Sequence, residues 1–333
     1  MAPGNDIAVE TTAQPPANWD DSIRQGTCAQ LTLYHTVAWA RRMRGLLGFE
    51  PIFVTTSEGG EPALRLLAFS RWPPGIRGLK NSARYLASAL RHARLGSLIW
   101  HGEPVIVGDA GERHYQSMSE GLGLEARRRW LHVAAGSWPT KYETVLPESW
   151  RTRRWGTIQI DLRPPLEELL AATKSSARKA VRRAEKDQIS VRRVMNLDDL
   201  RRYYIFAADC AQRYDKRMHG FEDFESMWVD LRPDGWFETF VAEHDGDMIA
   251  GLSIWGHGDS IGELGSFQSE RSFSEMLFGP DLIKWTAIRW GHEQGLRMLD
   301  LSGVNPAPEG KEIGIRQFKE KWGGTYHEYT TIS

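Results

Sequence analysis

The sequence predicts an α/β protein made of two successive units, each a mixed β-sheet flanked by helices. Three observations predict it. Apolar residues alternate between helical and strand spacing along the whole chain, so both element types recur. Tight-turn signals divide neighbouring strand-like runs into hairpins. At 333 residues the chain is also longer than one core usually organises.

The elements follow in order. Met1 to Asp20 holds Pro, Ala, Thr and acidic residues without a basic or apolar segment, and reads as a disordered tail rather than a secretory signal. From Leu31 to Leu47, Leu33, Val37, Ala40, Met43 and Leu47 recur at helical spacing. Glu50 to Ser57 and Ala63 to Phe69 are β-rich runs around Glu58-Gly59-Gly60-Glu61, a hairpin. Arg71 to Ser82 reads as a Pro/Gly-rich loop and Ala83 to Ala93 as a helix. Leu98 to Val107, Arg113 to Gly121 and Trp130 to Ala134 read as strand, helix and strand. Lys141 to Trp155 then mixes Pro147, charges and two tryptophans, which places a domain boundary near Trp155.

The second round opens with the strand Thr157 to Leu162. One long helix, Leu166 to Lys186, is marked at its start by Arg163-Pro164-Pro165. Strand Ser190 to Val194 and helix Leu197 to Tyr214 come next. Phe237 to Glu243 and Met248 to Trp255 flank His244-Asp245-Gly246-Asp247, a second hairpin. After strand Ser260 to Phe267, Pro280 begins a helix that stops at Gly295, and Met298 to Leu301 is a buried strand. The expected division is 1–20 tail, 21–155 first domain and 156–325 second domain.

Bulk properties remove several function classes. Hydrophobic residues at 41% and charged residues at 26% describe a globular chain. A formal net charge of -1 excludes a molecule-wide electrostatic grip on nucleic acid, so phosphate recognition requires a local patch. Cys28 and Cys210 are too few for a disulfide framework or a thiolate zinc site, which fits a reducing, cytoplasmic setting. No run approaches the ~20 apolar residues that cross a bilayer. There is no Walker A loop, H-E-x-x-H or G-x-S-x-G, which argues against P-loop, zincin and serine-hydrolase chemistry. The ten histidines lack metal-ligand spacing, so no metal is expected. Gly121-Leu122-Gly123-Leu124-Glu125-Ala126 matches G-x-G-x-x-A but follows a helix instead of a strand, and is set aside.

Three constellations can carry chemistry. Lys174, Arg178, Arg182 and Lys186 step by four along the predicted helix, widened by Lys179 and Arg183. Such a stripe can track phosphates, and the same spacing fits a solvated face. Arg41, Arg42 and Arg44 lie within one turn of the first helix and suit an anionic substrate. Near the C-terminus, Asp300-Leu301-Ser302-Gly303-Val304-Asn305 ends a buried strand, and Gly314 to Lys319 precedes Trp322-Gly323-Gly324. Lys319 between Phe318 and Trp322 reads as a cation beside aromatic walls, able to stabilise an oxyanion. A packing or surface role fits the same residues.

The second half resembles the Fem family of non-ribosomal peptidyltransferases, which use aminoacyl-tRNA. The resemblance is carried by Trp155 to Lys186, Phe240 to Gly246, the helix Trp285 to Gly295, Asp300-Leu301-Ser302-Gly303, and Phe318-Lys319 with Trp322-Gly323-Gly324. Leu33 to Met43 and His101-Gly102-Glu103-Pro104-Val105 extend it into the first half. It implies two tandem GNAT-like domains, with 326–333 returning to the first. It implies Lys319 as the group that stabilises the tetrahedral intermediate and the Phe318 carbonyl as the group that orients the attacking amine. It places Arg41 and Arg42 on an acceptor, with Arg217, His219, Asp223 and Asn305 nearby, and tRNA along Lys174, Arg178, Lys179, Arg182, Arg183 and Lys186.

Departures from the family's pattern matter equally. Where a second phosphate-binding Arg and a Tyr are expected, the nearest positions are His219 and Asp223, and an aromatic expected near Leu264 is absent. A carboxylate repels phosphate. The expected function is therefore aminoacyl transfer to an amine on a small natural-product intermediate or peptide, with no cofactor beyond the aminoacyl-tRNA co-substrate. Acyl-CoA-dependent N-acyl transfer, peptidoglycan bridge formation and a non-catalytic binding module are the alternatives. Related coenzyme A enzymes seat the pyrophosphate at a helix N-terminus behind Arg/Gln-x-x-Gly-x-Gly/Ala. Arg271 to Gly279 lacks that pattern.

Overall fold

A computed structural model of the protein describes residues 7–72, 96–213, 218 and 220–333. The helix expected over Ala83 to Ala93, and most of the loop before it, lie outside the described residues. The chain divides into two compact units, Met1–Trp155 with Glu328–Ser333, and Gly156–His327.

The first unit opens with strand β1 (Ile7–Thr12) and helix α1 (Trp19–Gln25). Over residues 7–20 this corrects the disordered tail expected over 1–20; residues 1–6 lie outside the described residues. β1 pairs antiparallel with β2 (Glu50–Glu58) from Ile7↔Glu58 to Thr12↔Phe53. Its alternation over six residues is too short, and too rich in Thr and Glu, to stand out as a strand without the partner edge. In α1, Trp19 and Ile23 are buried.

A single tight turn at Thr32–His35 precedes α2 (Val37–Leu47). The one helix expected from Leu31 to Leu47 is therefore split at Thr36. There the hydroxyl accepts from the Trp39 N–H at 3.1 Å and caps the new start. β2 and β3 (Glu61–Arg71) form the expected hairpin, with Gly59 and Gly60 at φ 61° and 91° in the turn. β4 (Gly96–Trp100), the short β5 (Val105–Ile106), α3 (Glu112–Arg128) and β6 (Leu131–Pro139) complete the first pass. The two glycines of the G-x-G-x-x-A match lie inside α3. A Cβ on Gly121 would meet the Val9 side chain at 2.6 Å, so that glycine lets the helix approach β1.

The second unit begins within β7 (Thr152–Asp161). Two helices follow, α4 (Leu166–Ala172) and α5 (Ser175–Lys186), where one long helix was expected. Thr173 and Lys174 are extended, and the Arg178 guanidinium turns back onto the carbonyls of Leu170, Ala171 and Thr173. It thereby satisfies the acceptors that end α4. Next come β8 (Ser190–Arg193), α6 (Leu197–Gln212), α7 (Phe221–Asp230), β9 (Phe237–His244), β10 (Asp247–His257) and β11 (Ser260–Gln268). The β9–β10 turn places Asp245 and Gly246 at φ 54° and 83°.

A short helix α8 (Glu270–Ser274), α9 (Gly279–Glu293), β12 (Met298–Val304), α10 (Lys311–Glu320) and β13 (Thr325–Ile332) finish the chain. In this unit the strand order is β7-β12-β11-β10-β9-β8, all antiparallel except β11 with β12. Ala177, Val181 and Ala184 of α5 and Ile283, Ala287 and Ile288 of α9 pack with sheet residues such as Ile158, Leu252 and Leu299 into one core. In the first unit, residues 329–332 of β13 pair antiparallel with β6.

Candidate active site

β11 and β12 run parallel from Ser260↔Met298 to Gly262↔Asp300, and there the ladder stops although both strands continue. On its other side β12 pairs Asp300 with Gln159 and Gly303 with Thr157, so Leu301 and Ser302 stand against Ile158 alone. That is a β-bulge. Ser302 carries it at φ 61°, a left-handed conformation unusual for a residue with a side chain. Its hydroxyl donates to the Glu263 carbonyl on β11, bridging the strands where their ladder has ended.

Lys319 of α10 closes this opening. Its Nζ donates to the Ser302 carbonyl at 3.1 Å and the Gly303 carbonyl at 2.8 Å. The ammonium is thus anchored at the splayed ends of the two strands. Asp300, 5% exposed, accepts from the Thr157 hydroxyl, from Gln159 Nε2 at 3.0 Å and from the Ser302 N–H at 2.7 Å. Burial raises its pKa, offset by those hydrogen bonds and by the Lys319 charge.

The aromatic walls belong to a different lysine. Gly314 to Lys319 is helical, and Phe318 and Trp322 share one face with ring centroids 6.4 Å apart. Lys321 lies on that face, 4.1 Å from the Phe318 ring centroid and 5.7 Å from that of Trp322. Lys319 instead sits between backbone carbonyls, which corrects the expectation of an aromatic slot around it.

Lys321 pairs with Asp281 at 2.5 Å. Asp281 is 5% exposed and stands in the first turn of α9, where a carboxylate interacts favourably with the helix dipole. Lys284, one turn further and 2% exposed, pairs with Glu263. Burial, then the Lys319 and Lys321 charges, push the Lys284 pKa well below the lysine range.

Three lysines and three buried carboxylates therefore converge on the β11–β12 opening. Sequence reading singled out one of the six for its chemistry. A signal for a second was present, since Lys284 interrupts the apolar run Leu282-Ile283-Lys284-Trp285 of α9.

The other anticipated residues are distributed as follows. Asn305 is committed locally, donating to Glu312 at 2.7 Å and accepting from the Ala307 N–H at 3.0 Å, so it braces the loop into α10. Asp223 lies with Glu222 in the first turn of α7. Arg217 and His219 lie outside the described residues. Arg41 and Arg42 belong to the first unit, where Arg41 is exposed and Arg42 is buried with its guanidinium 5.1 Å from the Trp39 ring centroid.

The basic stripe is rearranged. Arg178 is spent on α4, Arg183 pairs with Asp187 at 2.7 Å, and Lys174 lies 3.7 Å from Glu320. Lys179, Arg182 and Lys186 remain exposed and spaced three and four apart on one helical face.

β11 and β12 thus splay after a short parallel ladder, with α9 connecting the two strands. Residues 171–320 match the family model described as "Acetyltransferase (GNAT) domain". Among solved structures, a crystal structure of FemX aligns over 96% of this chain and 96% of its own, at 14% identity and TM-score 0.69. The L-PGS structure from Bacillus licheniformis aligns over 95% and 91%, at 12% identity and TM-score 0.56. A tandem GNAT protein from the clavulanic acid biosynthesis pathway aligns over 98% of each, at 12% identity and TM-score 0.52. Among curated protein sequences none matches the chain. Residues 171–320 are thus similar to the GNAT acetyltransferase family, and over nearly its whole length the chain shares the fold of FemX and of a tandem GNAT protein. Among the described residues no helix is long and apolar enough to cross a membrane.

Proposed function

We propose that this protein joins an aminoacyl group, delivered as its ester on tRNA, to the amine of a small or peptide acceptor. The amine nitrogen attacks the ester carbonyl, the carbon–oxygen bond to the ribose breaks, and the amine's proton ends on the departing ribose hydroxyl. In between, negative charge develops on the carbonyl oxygen. Lys319, fixed on the Ser302 and Gly303 carbonyls, supplies the positive charge that stabilises it, and this anchoring is the observation that carries the reading.

The donor assignment draws support from α9. A coenzyme A pyrophosphate needs a free helix N-terminus. The first turn of α9 already holds the Asp281 carboxylate, paired with Lys321. A second anion there would meet like charge. The face formed by Lys179, Arg182 and Lys186 suits a polyphosphate partner.

On the acceptor side, Glu222 and Asp223 in the first turn of α7 disfavour a nucleotide diphosphate and favour a small amine. The clavulanic acid pathway protein of the same fold is in keeping with a natural-product acceptor. The description of the matched domain as an acetyltransferase favours a second reading, in which the donor is acyl-CoA.

Parallel incubations with charged tRNA and with acyl-CoA, each with a panel of amines including a peptidoglycan precursor, separate these readings. Transfer from charged tRNA that nuclease abolishes is the expected result. Transfer only from acyl-CoA overturns the donor assignment, and transfer only to the precursor overturns the acceptor assignment. Lys319→Ala should slow transfer by at least about a hundredfold while donor and acceptor affinities stay within about twofold.

A further inference from the structure

We propose that Asp300 is a positioning residue that sets the place of Lys319 by holding the β12 bulge in its left-handed form. The inference deepens the reading of Lys319 given above and rests on it. In a regular strand consecutive carbonyls point to opposite edges, so one ammonium cannot take both as acceptors. Lys319 Nζ does take both, from Ser302 and Gly303. What makes this geometry available is the φ of 61° at Ser302, which turns two successive carbonyls toward the same side.

That conformation is unfavourable for serine and needs to be held from outside. The Asp300 carboxylate holds it. One oxygen accepts from the Ser302 N–H at 2.7 Å, closing a turn across the bulge, and also from the Thr157 hydroxyl of β7. The other accepts from Gln159 Nε2 at 3.0 Å, so the carboxylate cannot rotate away. The Ser302 hydroxyl, bound to the Glu263 carbonyl, fixes the other side of the bulge. A buried carboxylate is expensive unless its acceptor capacity is used, and here three donors use it. The spacing Asp300-x-x-Gly303 then has a mechanical meaning. The acid grips the residue two positions on, Ser302, and the Gly303 carbonyl that follows is the second acceptor of Lys319.

The test is a set of single-turnover measurements at enzyme excess with charged tRNA and an accepted amine, on wild type, Asp300→Asn, Lys319→Ala and the double variant. An amide can still accept from Ser302, but it places an N–H₂ against one of the other two donors. Asp300→Asn should slow transfer about a hundredfold, the scale of an ångström-level displacement of a catalytic group, with donor and acceptor affinities within about twofold. Because Asp300 acts through Lys319, the double variant should be no slower than Lys319→Ala alone.

Thr157→Val, which removes one support and leaves the carboxylate, should give a smaller loss of the same kind. It replaces Asp300→Asn in the comparison should that variant not fold. Losses that multiply in the double variant, or a folded Asp300→Asn enzyme at the wild-type rate, overturn the positioning role while leaving Lys319 in place. A Lys319→Ala enzyme at full rate overturns the reading of Lys319 itself.

Discussion

Glu103 and its neighbours show how single side chains in the first unit govern the response to pH. Glu103 is 5% exposed, and burial pushes its pKa up to about 7 against a smaller opposing effect of Lys141. His35 is fully buried, accepts from the Leu67 N–H at Nδ1 and lies 2.9 Å from the Glu103 carbonyl at Nε2. Both ring nitrogens are satisfied only when the ring is neutral, and burial holds its pKa down at about 3. Burial, with Arg42 adding to it, similarly lowers His101 to about 4.

The signs follow by linkage. The folded state holds the Glu103 proton more tightly than the unfolded chain does, so that stabilisation is complete below about pH 4.5 and lost as pH rises through about 7. The histidines act oppositely, weakening the fold as pH falls below 6.5. The two effects overlap near pH 6.5, where an unfolded histidine is still half protonated, so the Glu103 share is read from the difference between wild type and Glu103→Gln. In urea unfolding that difference should shift by about 3 kcal/mol against the wild type as pH rises from 4.5 to 8, most of it below pH 7, and a difference that stays constant with pH would refute the role of Glu103.

Lys319 itself was readable as an anchored cation only in part. Helical arithmetic puts residues 318, 321 and 322 on one face and 319 off it, but that arithmetic applies only once Gly314 to Lys319 is known to be helical. With a glycine at 314 and Glu-Gly-Lys before it, the segment reads as a loop.

Among the elements, α5 changed most between sequence and structure. Its periodicity was legible because Ala177, Ala180, Val181 and Ala184 form a continuous apolar face. The break before it was not, since no glycine or proline marks Thr173-Lys174 and the cause is a side chain reaching back from Arg178. The consequence is a division of labour among similar residues. Replacing Lys179 and Arg182 together by alanine should weaken charged-tRNA binding and reduce the slope of log affinity against log salt by about two. Arg178→Ala should leave that slope unchanged and cost roughly 0.5–1.5 kcal/mol in thermal or urea unfolding, because it removes a charged donor shared by the part-buried and exposed carbonyls that end α4. A filter-binding salt titration beside a melting curve checks both. An equal effect of the two changes on the salt slope would return α5 to a uniformly solvated face.

Over the whole molecule, the duplicated α/β pattern was legible because both hairpins carry turn residues that positive φ demands: Gly59-Gly60 in the first and Asp245-Gly246 in the second. Elements lacking such local signals were not. α7 went unassigned, and β1 is defined by its partner rather than by its own composition. The acid-supported bulge in β12 was equally hidden, because a register shift exists only between two strands and a single chain segment carries no mark of it.

One feature of the first unit, its last strand, bears on how the protein is made. Residues 328–333 belong to that unit, and Tyr329 to Ile332 pair with Pro139 to Gly136, more than 150 positions earlier by direct subtraction. At roughly 5–20 residues added per second, β6 waits on the order of ten seconds or more for its neighbour. During that wait the edge of β6 that β13 takes has no strand partner. Ribosome-bound chains halted before residue 328 has emerged should therefore be cut readily within the first unit, and chains halted after residue 333 has cleared the exit should resist. A chaperone that shelters open sheet edges would find its substrate in that interval, and a tag fused tightly to the last strand would prolong it.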